Sequence, residues 1–221
     1  MSLPRSALPV AVGLLVLGTV LRAVFLLWHP PFTTDFYDYE QVSAYADSWY
    51  LMHMAVGAPG FATMFVGLAA VTAVLCAERG GLLAVIGGAL AAAGGLGFAL
   101  ALAAEGATWG WALDPAVIDA EAGAQLLRGI ETGPQLTTPI ILAADTAVIP
   151  LGVLLQLIAL LLAGSVPRWL PIAVLVVMLL GLVPVPVLDG PRVVLESVAL
   201  IAIGLFVVRA RRPLRAAVPA P

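Results

Sequence analysis

The chain has 221 residues, of which 62% are hydrophobic and 10% charged, with net charge −3 and mean hydropathy +1.09. Soluble domains are roughly 45–50% apolar and about 25% charged, so this is read as an integral membrane protein with no nucleic-acid partner. All 10 basic residues are arginine, which excludes lysine Schiff-base chemistry and with it retinal or pyridoxal phosphate.

Two histidines, His29 and His53, rule out a metal site of three or more imidazoles. No zinc-ligand spacing or nucleotide-binding glycine loop occurs, and no metal is expected. The single Cys76 cannot form an intramolecular disulfide and is read as a small packed hydrophobe.

A span needs about 20 mostly apolar residues, and six stretches qualify: 7–28, 49–76, 82–104, 137–164, 169–188 and 193–209. The first follows Arg5 but is too long for the apolar region of a signal peptide, and Trp28-His29-Pro30-Pro31 is no small-residue cleavage site. Between the first two spans, residues 29–48 mix acids with Phe32, Phe36, Tyr37, Tyr39 and Tyr45, as an interfacial aromatic belt does. The second span opens on SWYLMHMAVG, with His53 one turn inside and in line with Gly57, Gly60 and Met64.

A short ERGG turn at 78–81 leads to the third span, whose Gly87, Ala91 and Gly95 form a smooth face for close helix packing or homo-oligomerisation. Glu105 is placed at its outer end. In the segment 105–136, Asp114 and Pro115 read as the start of a helix. Ile118, Ala122, Leu126 and Ile130 then suit an amphipathic helix lying on the membrane. The fourth span carries Thr138, Asp145, Gly152 and Gln156 at helical spacing, one polar-and-small stripe. Pro150 interrupts its backbone ladder. The fifth span has no charge, and the sixth carries Glu196 and Ser197 about a turn inside.

Arginine placement sets orientation. With the N-terminus cytoplasmic, Arg5, Arg79, Arg168, Arg209, Arg211, Arg212 and Arg215 lie inside, and only Arg128 and Arg192 outside. The expected fold is therefore an all-α six-helix membrane bundle with both termini cytoplasmic and external cap segments, a single domain over 1–221.

The intramembrane polar residues carry the functional signal. Arg22, His53, Glu105, Asp145 and Glu196 come from five spans and fall in the outer half of the bilayer; Gln156 extends the stripe of the fourth. A charge near mid-membrane costs about 2.5–3.5 kcal/mol on insertion scales, so such groups face the bundle and find partners. One outcome is a structural clasp, with Arg22 pairing Asp145 or Glu196 and His53 bonding a carboxylate. The other is an outward-opening pocket for a small cationic or protonatable solute, because acids outnumber bases.

A non-catalytic subunit binding a protein partner through the third span or the outer loops is an alternative function. A hydrolase using Ser48 and His53 is a further one, although no nucleophile motif supports it. Haem held by His29 and His53 is considered and not expected, since His29 is placed in the headgroup layer.

The external loop of about 20 residues, the DSWYLMHMAVG opening, the Arg-Gly-Gly inner turn and the Gly/Ala-rich span ending AAEG together resemble uncharacterised six-span membrane proteins of GC-rich bacteria, a domain-of-unknown-function family. The resemblance covers the whole length as a layout and implies a bacterial inner-membrane protein. It transfers no site residue.

Overall fold

The computed structural model describes residues 7–30, 39–132, 140, 143–181 and 189–210, and every regular element among them is helical. We number the helices α1 Ala7–Trp28, α2 Tyr39–Ser43, α3 Ala46–Leu75, α4 Gly81–Leu113, α5 Ala120–Thr132, α6 Ala144–Ala163, α7 Trp169–Leu180 and α8 Asp189–Ala210. Five of these, α1, α3, α4, α6 and α8, are long and apolar enough to cross a membrane. The fifth expected span, 169–188, begins as α7, only 12 residues long, and residues 182–188 lie outside the described residues. Thr138, the first residue of the stripe expected in the fourth span, also lies outside them.

The helices pack in a ring that follows chain order, α1 against α3, α3 against α4, α4 against α6, α6 against α7, α7 against α8, and α8 back onto α1. Glycine sets the closest approaches. A Cβ on Gly60 of α3 would stand 2.6 Å from the Arg22 amide nitrogen, while Gly18 and Gly67 lie against the Met64 and Leu15 backbones of the facing helix. On the other side of the ring, a Cβ on Gly152 would stand 2.5 Å from the Ala91 nitrogen and 2.8 Å from the Gly87 oxygen. Helices in lipid have no hydrophobic drive to associate, so such backbone contacts carry the packing. The two turns opposite the polar site each use a left-handed glycine, Gly80 at φ 77° and Gly164 at φ 63°.

Two boundaries and one helix face differ from the sequence reading. α4 continues to Leu113, so Glu105 sits inside a 33-residue helix and does not end it; at 1.5 Å per residue this helix is about 50 Å long and exceeds the hydrocarbon core. α5 starts at Ala120, where Asp119 Oδ1 accepts the Ala122 amide at 2.9 Å, whereas Asp114 Oδ1 accepts the Ala116 amide at 2.8 Å within a preceding turn. Its inward stripe is Gly123 and Leu127, rotated one position from Ala122 and Leu126, because Gly123 lets α5 close onto the Ala112 carbonyl at the end of α4.

Two stretches are wound as π-helix, Leu51–Gly57 in α3 and Ala144–Val148 in α6. Each is followed within two residues by a proline, Pro59 and Pro150. A proline ring clashes with the carbonyl four residues earlier and offers no N–H. A wider i→i+5 turn relieves both problems, and such turns gather at functional sites.

Candidate functional site

The end of the bundle opposite the Gly80 and Gly164 turns holds two polar layers, both organised by one face of α1. Arg22, Phe25 and His29 follow at i, i+3 and i+7, so they stack one above another along the helix. Gly57 clears room for the Phe25 ring, whose Cδ2 would stand 2.7 Å from a Cβ there.

The first layer is a box of imidazole and indole. His53 is fully buried and stacks on Trp49 with ring centres 4.3 Å apart. Trp49 in turn lies nearly parallel to Trp109 of α4 at 5.3 Å. Phe25 meets the His53 ring edge-on at 5.3 Å, and His29 meets it at 5.3 Å with an interplanar angle of 68°. The His53 Nδ1 lies 3.0 Å from the Trp49 carbonyl. A carbonyl only accepts, so Nδ1 carries the hydrogen and Nε2 carries the lone pair. That Nε2 is buried and has no hydrogen-bond partner.

His29 repeats the pattern, with Nδ1 2.9 Å from the Pro30 carbonyl. It is 9% exposed, and burial lowers its pKa to about 4. The two imidazoles pack directly on each other, which is not the arrangement of two axial ligands on opposite faces of a porphyrin.

The second layer is an ion pair. Arg22 Nη1 lies 3.2 Å from Glu196 Oε2, and the guanidinium carbon sits 5.3 Å above the Phe61 ring centre. Nη1 and Nε make no aligned hydrogen bond, so the contact is chiefly one of charge. The side chains keep 14% and 18% of their surface accessible. Phe25 and Phe61, 6.1 Å apart, separate this pair from the box above. Thr19 and Ser197 bond back to the Leu15 and Val193 carbonyls of their own helices and not to the pair.

The other expected residues fall elsewhere. Asp145 is exposed, on the π turn of α6, within the electrostatic reach of Arg22 and Arg192. Gly152 and Gln156 are buried, so the expected single stripe is broken: the π turn shifts the helical register and carries Asp145 off their face. Gln156 Oε1 accepts from Thr72 Oγ1 at 2.6 Å. Thr72 is 19 residues along α3 from His53, about 28 Å at 1.5 Å per residue, so Gln156 belongs to the opposite end of the bundle. Glu105 is half-buried beside Gly106, whose added Cβ would stand 2.5 Å from the His53 Cβ. Ser48 Oγ donates to the Tyr45 carbonyl at 3.2 Å and is not engaged with His53.

Trp49, Phe25, Phe61 and Trp109 were not singled out by the sequence reading. The spacings Phe25–His29 and Trp49–His53, both i, i+4, are the signal that points to them. Fold and site together define an all-α, multi-span membrane protein with paired polar groups in one half of the bundle. Comparison of the chain with protein-family models, curated proteins and solved structures finds no match.

Proposed function

We propose that the protein is a six-span bacterial inner-membrane protein, both termini cytoplasmic, that handles a small cationic or protonatable solute through the outer half of the bundle. The observation that supports this reading is the partial accessibility of the Arg22–Glu196 pair, with the exposed Asp145 as a second acid acting on the same guanidinium. One arginine shared by two carboxylates leaves net negative charge at side chains that keep some accessible surface. A fully sealed pair would serve packing alone. Low dielectric magnifies the attraction for an incoming cation, and the aromatic ring of Phe61 supplies a face on which a displaced guanidinium can rest.

The test uses the whole protein in liposomes, with proton flux and labelled methylammonium as probes. Wild type moves one of them, and Asp145→Asn abolishes that movement while its unfolding transition stays within the wild-type range. A folded Asp145→Asn protein that moves both probes as wild type does, or a wild type that moves neither, overturns the proposal. A reporter fused after Arg215 reads the orientation: activity on the far side of the membrane refutes the cytoplasmic C-terminus.

A further inference from the structure

We propose that the Arg22–Glu196 pair is the binding site for a small amino acid in its zwitterionic form, with the carboxylate taken by Arg22 and the ammonium by Glu196. The inference rests on the reading of these groups as a solute site and names the class of solute. Three observations carry it. First, the guanidinium holds unused donors. Arg22 Nε and Nη1 are buried and have no hydrogen-bond partner, although Nη1 lies 3.2 Å from Glu196 Oε2. A buried N–H left unmade is costly, and neither a proton nor a simple cation can accept from it. A carboxylate can, because its two oxygens match the planar fork of a guanidinium. The Thr19 and Ser197 hydroxyls donate to the Leu15 and Val193 carbonyls of their own helices and leave that acceptor role unfilled.

Second, the acids are in surplus. Asp145 of α6 acts on the same guanidinium as Glu196. When Arg22 turns to a ligand carboxylate, Glu196 gives up its cation, and a ligand ammonium replaces it. A zwitterion therefore exchanges partners with the ion pair without carrying net charge into a site of low dielectric, whereas an ammonium alone brings a full charge. The Phe61 ring, with its centre 5.3 Å from the guanidinium carbon, supports the arginine in both arrangements.

Third, the pair is both anchored and reachable. The Arg22 backbone is held against Gly60 of α3, where an added Cβ would stand 2.6 Å from the Arg22 nitrogen. The Arg22 and Glu196 side chains still keep 14% and 18% of their surface accessible. Their charges lie at contact distance, and an α-amino acid carries its own two charges on one carbon, at a similar separation. A solute with its charges further apart does not lie antiparallel to the pair. Positions 22 and 196 form no motif; only the packing of α8 on α1 brings them together.

The experiment uses the intact protein in a non-ionic detergent at neutral pH. It measures binding of glycine, methylammonium and acetate, which carry both charges, the cation alone and the anion alone. Glycine is expected to bind at least about tenfold tighter than either fragment. Phosphoethanolamine, whose charges are more widely separated, stands for a lipid headgroup and is expected to bind more weakly than glycine. Arg22→Lys keeps the charge opposite Glu196 but loses the fork, and weakens glycine binding by about tenfold or more. Because this variant can misfold, wild type labelled with ¹⁵N-arginine provides a second measurement. The Nε–H resonance most protected from exchange with water shifts downfield with glycine and stays in place with methylammonium. Glycine no tighter than either fragment, phosphoethanolamine tighter than glycine, wild-type glycine affinity in a folded Arg22→Lys, or an unmoved Nε–H resonance each overturns the assignment. Methylammonium movement in liposomes with no preference for glycine refutes the amino acid and keeps the wider solute reading; absence of binding and movement for every probe ends both.

Discussion

Replacing Gly60 with alanine tests whether direct backbone contact between α1 and α3 carries the packing of this face of the bundle. The new Cβ would stand 2.6 Å from the Arg22 nitrogen, 3.0 Å from the Leu21 carbonyl carbon and 3.1 Å from the Arg22 Cα. All three are backbone atoms, so no side chain can rotate away. Ordinary contact begins at 3.4 Å, and the helices must therefore part locally by about 0.8 Å, the difference between 3.4 and 2.6 Å. A shift of that size opens gaps around Met64 and Phe61, both buried.

Overpacking of this kind costs about 1–3 kcal/mol, a factor of roughly 5–150 in the folding equilibrium. Gly13 is the control, because a Cβ there meets nothing within 4 Å and alanine gains up to about 1 kcal/mol of helix propensity. Reversible unfolding in mixed lipid–detergent micelles, followed by circular dichroism as sodium dodecyl sulfate is added, reads both variants. Gly60→Ala unfolds at lower denaturant than wild type, and Gly13→Ala at the same or higher. A Gly60→Ala protein as stable as Gly13→Ala refutes the close-contact argument.

The same assay addresses the clasp at the opposite end of the bundle. Thr72→Val removes the donor 2.6 Å from Gln156 Oε1 and lowers stability by about 0.6–1.7 kcal/mol. Adding Gln156→Leu restores part of the loss, because no buried acceptor is then left unmade; a double variant less stable than the sum of the singles contradicts this. His29 governs an acid limb of stability. Its pKa falls from 6.5 to about 4 on folding, so between those values the unfolded chain binds more protons. The stabilisation is complete above pH 6.5 and is lost as pH falls toward 4, by at most about 3 kcal/mol. His29→Asn flattens that limb, and an unchanged slope disproves the assignment.

The layered polar site was only partly legible. Arg22, His53 and Glu196 could be placed at similar depth because depth is a count of residues from a span end. Which of them touch depends on helix rotation and neighbour order, and those are set by pairs such as Gly60 with Arg22 and Gly152 with Ala91, distant in sequence. The third span was expected to be the close-packing helix. Gly87 and Gly152 do make such a contact, but α1 and α3 approach as tightly through Gly18, Gly60 and Gly67. Asp145 was assigned to the Gly152–Gln156 face on the assumption of unbroken α-helical register, and the π turn before Pro150 changed it.

Composition and hydropathy by themselves determined that this is an all-helical membrane protein and where its long apolar helices run, because lipid forces each segment to satisfy its own backbone hydrogen bonds. Only the tertiary structure decided that Arg22 meets Glu196, that His29 joins His53 against Trp49, and that Gln156 belongs with Thr72. Side-chain contacts between helices are fixed by packing at distances of a few ångströms, and no periodicity within a single segment encodes the rotation of its neighbour.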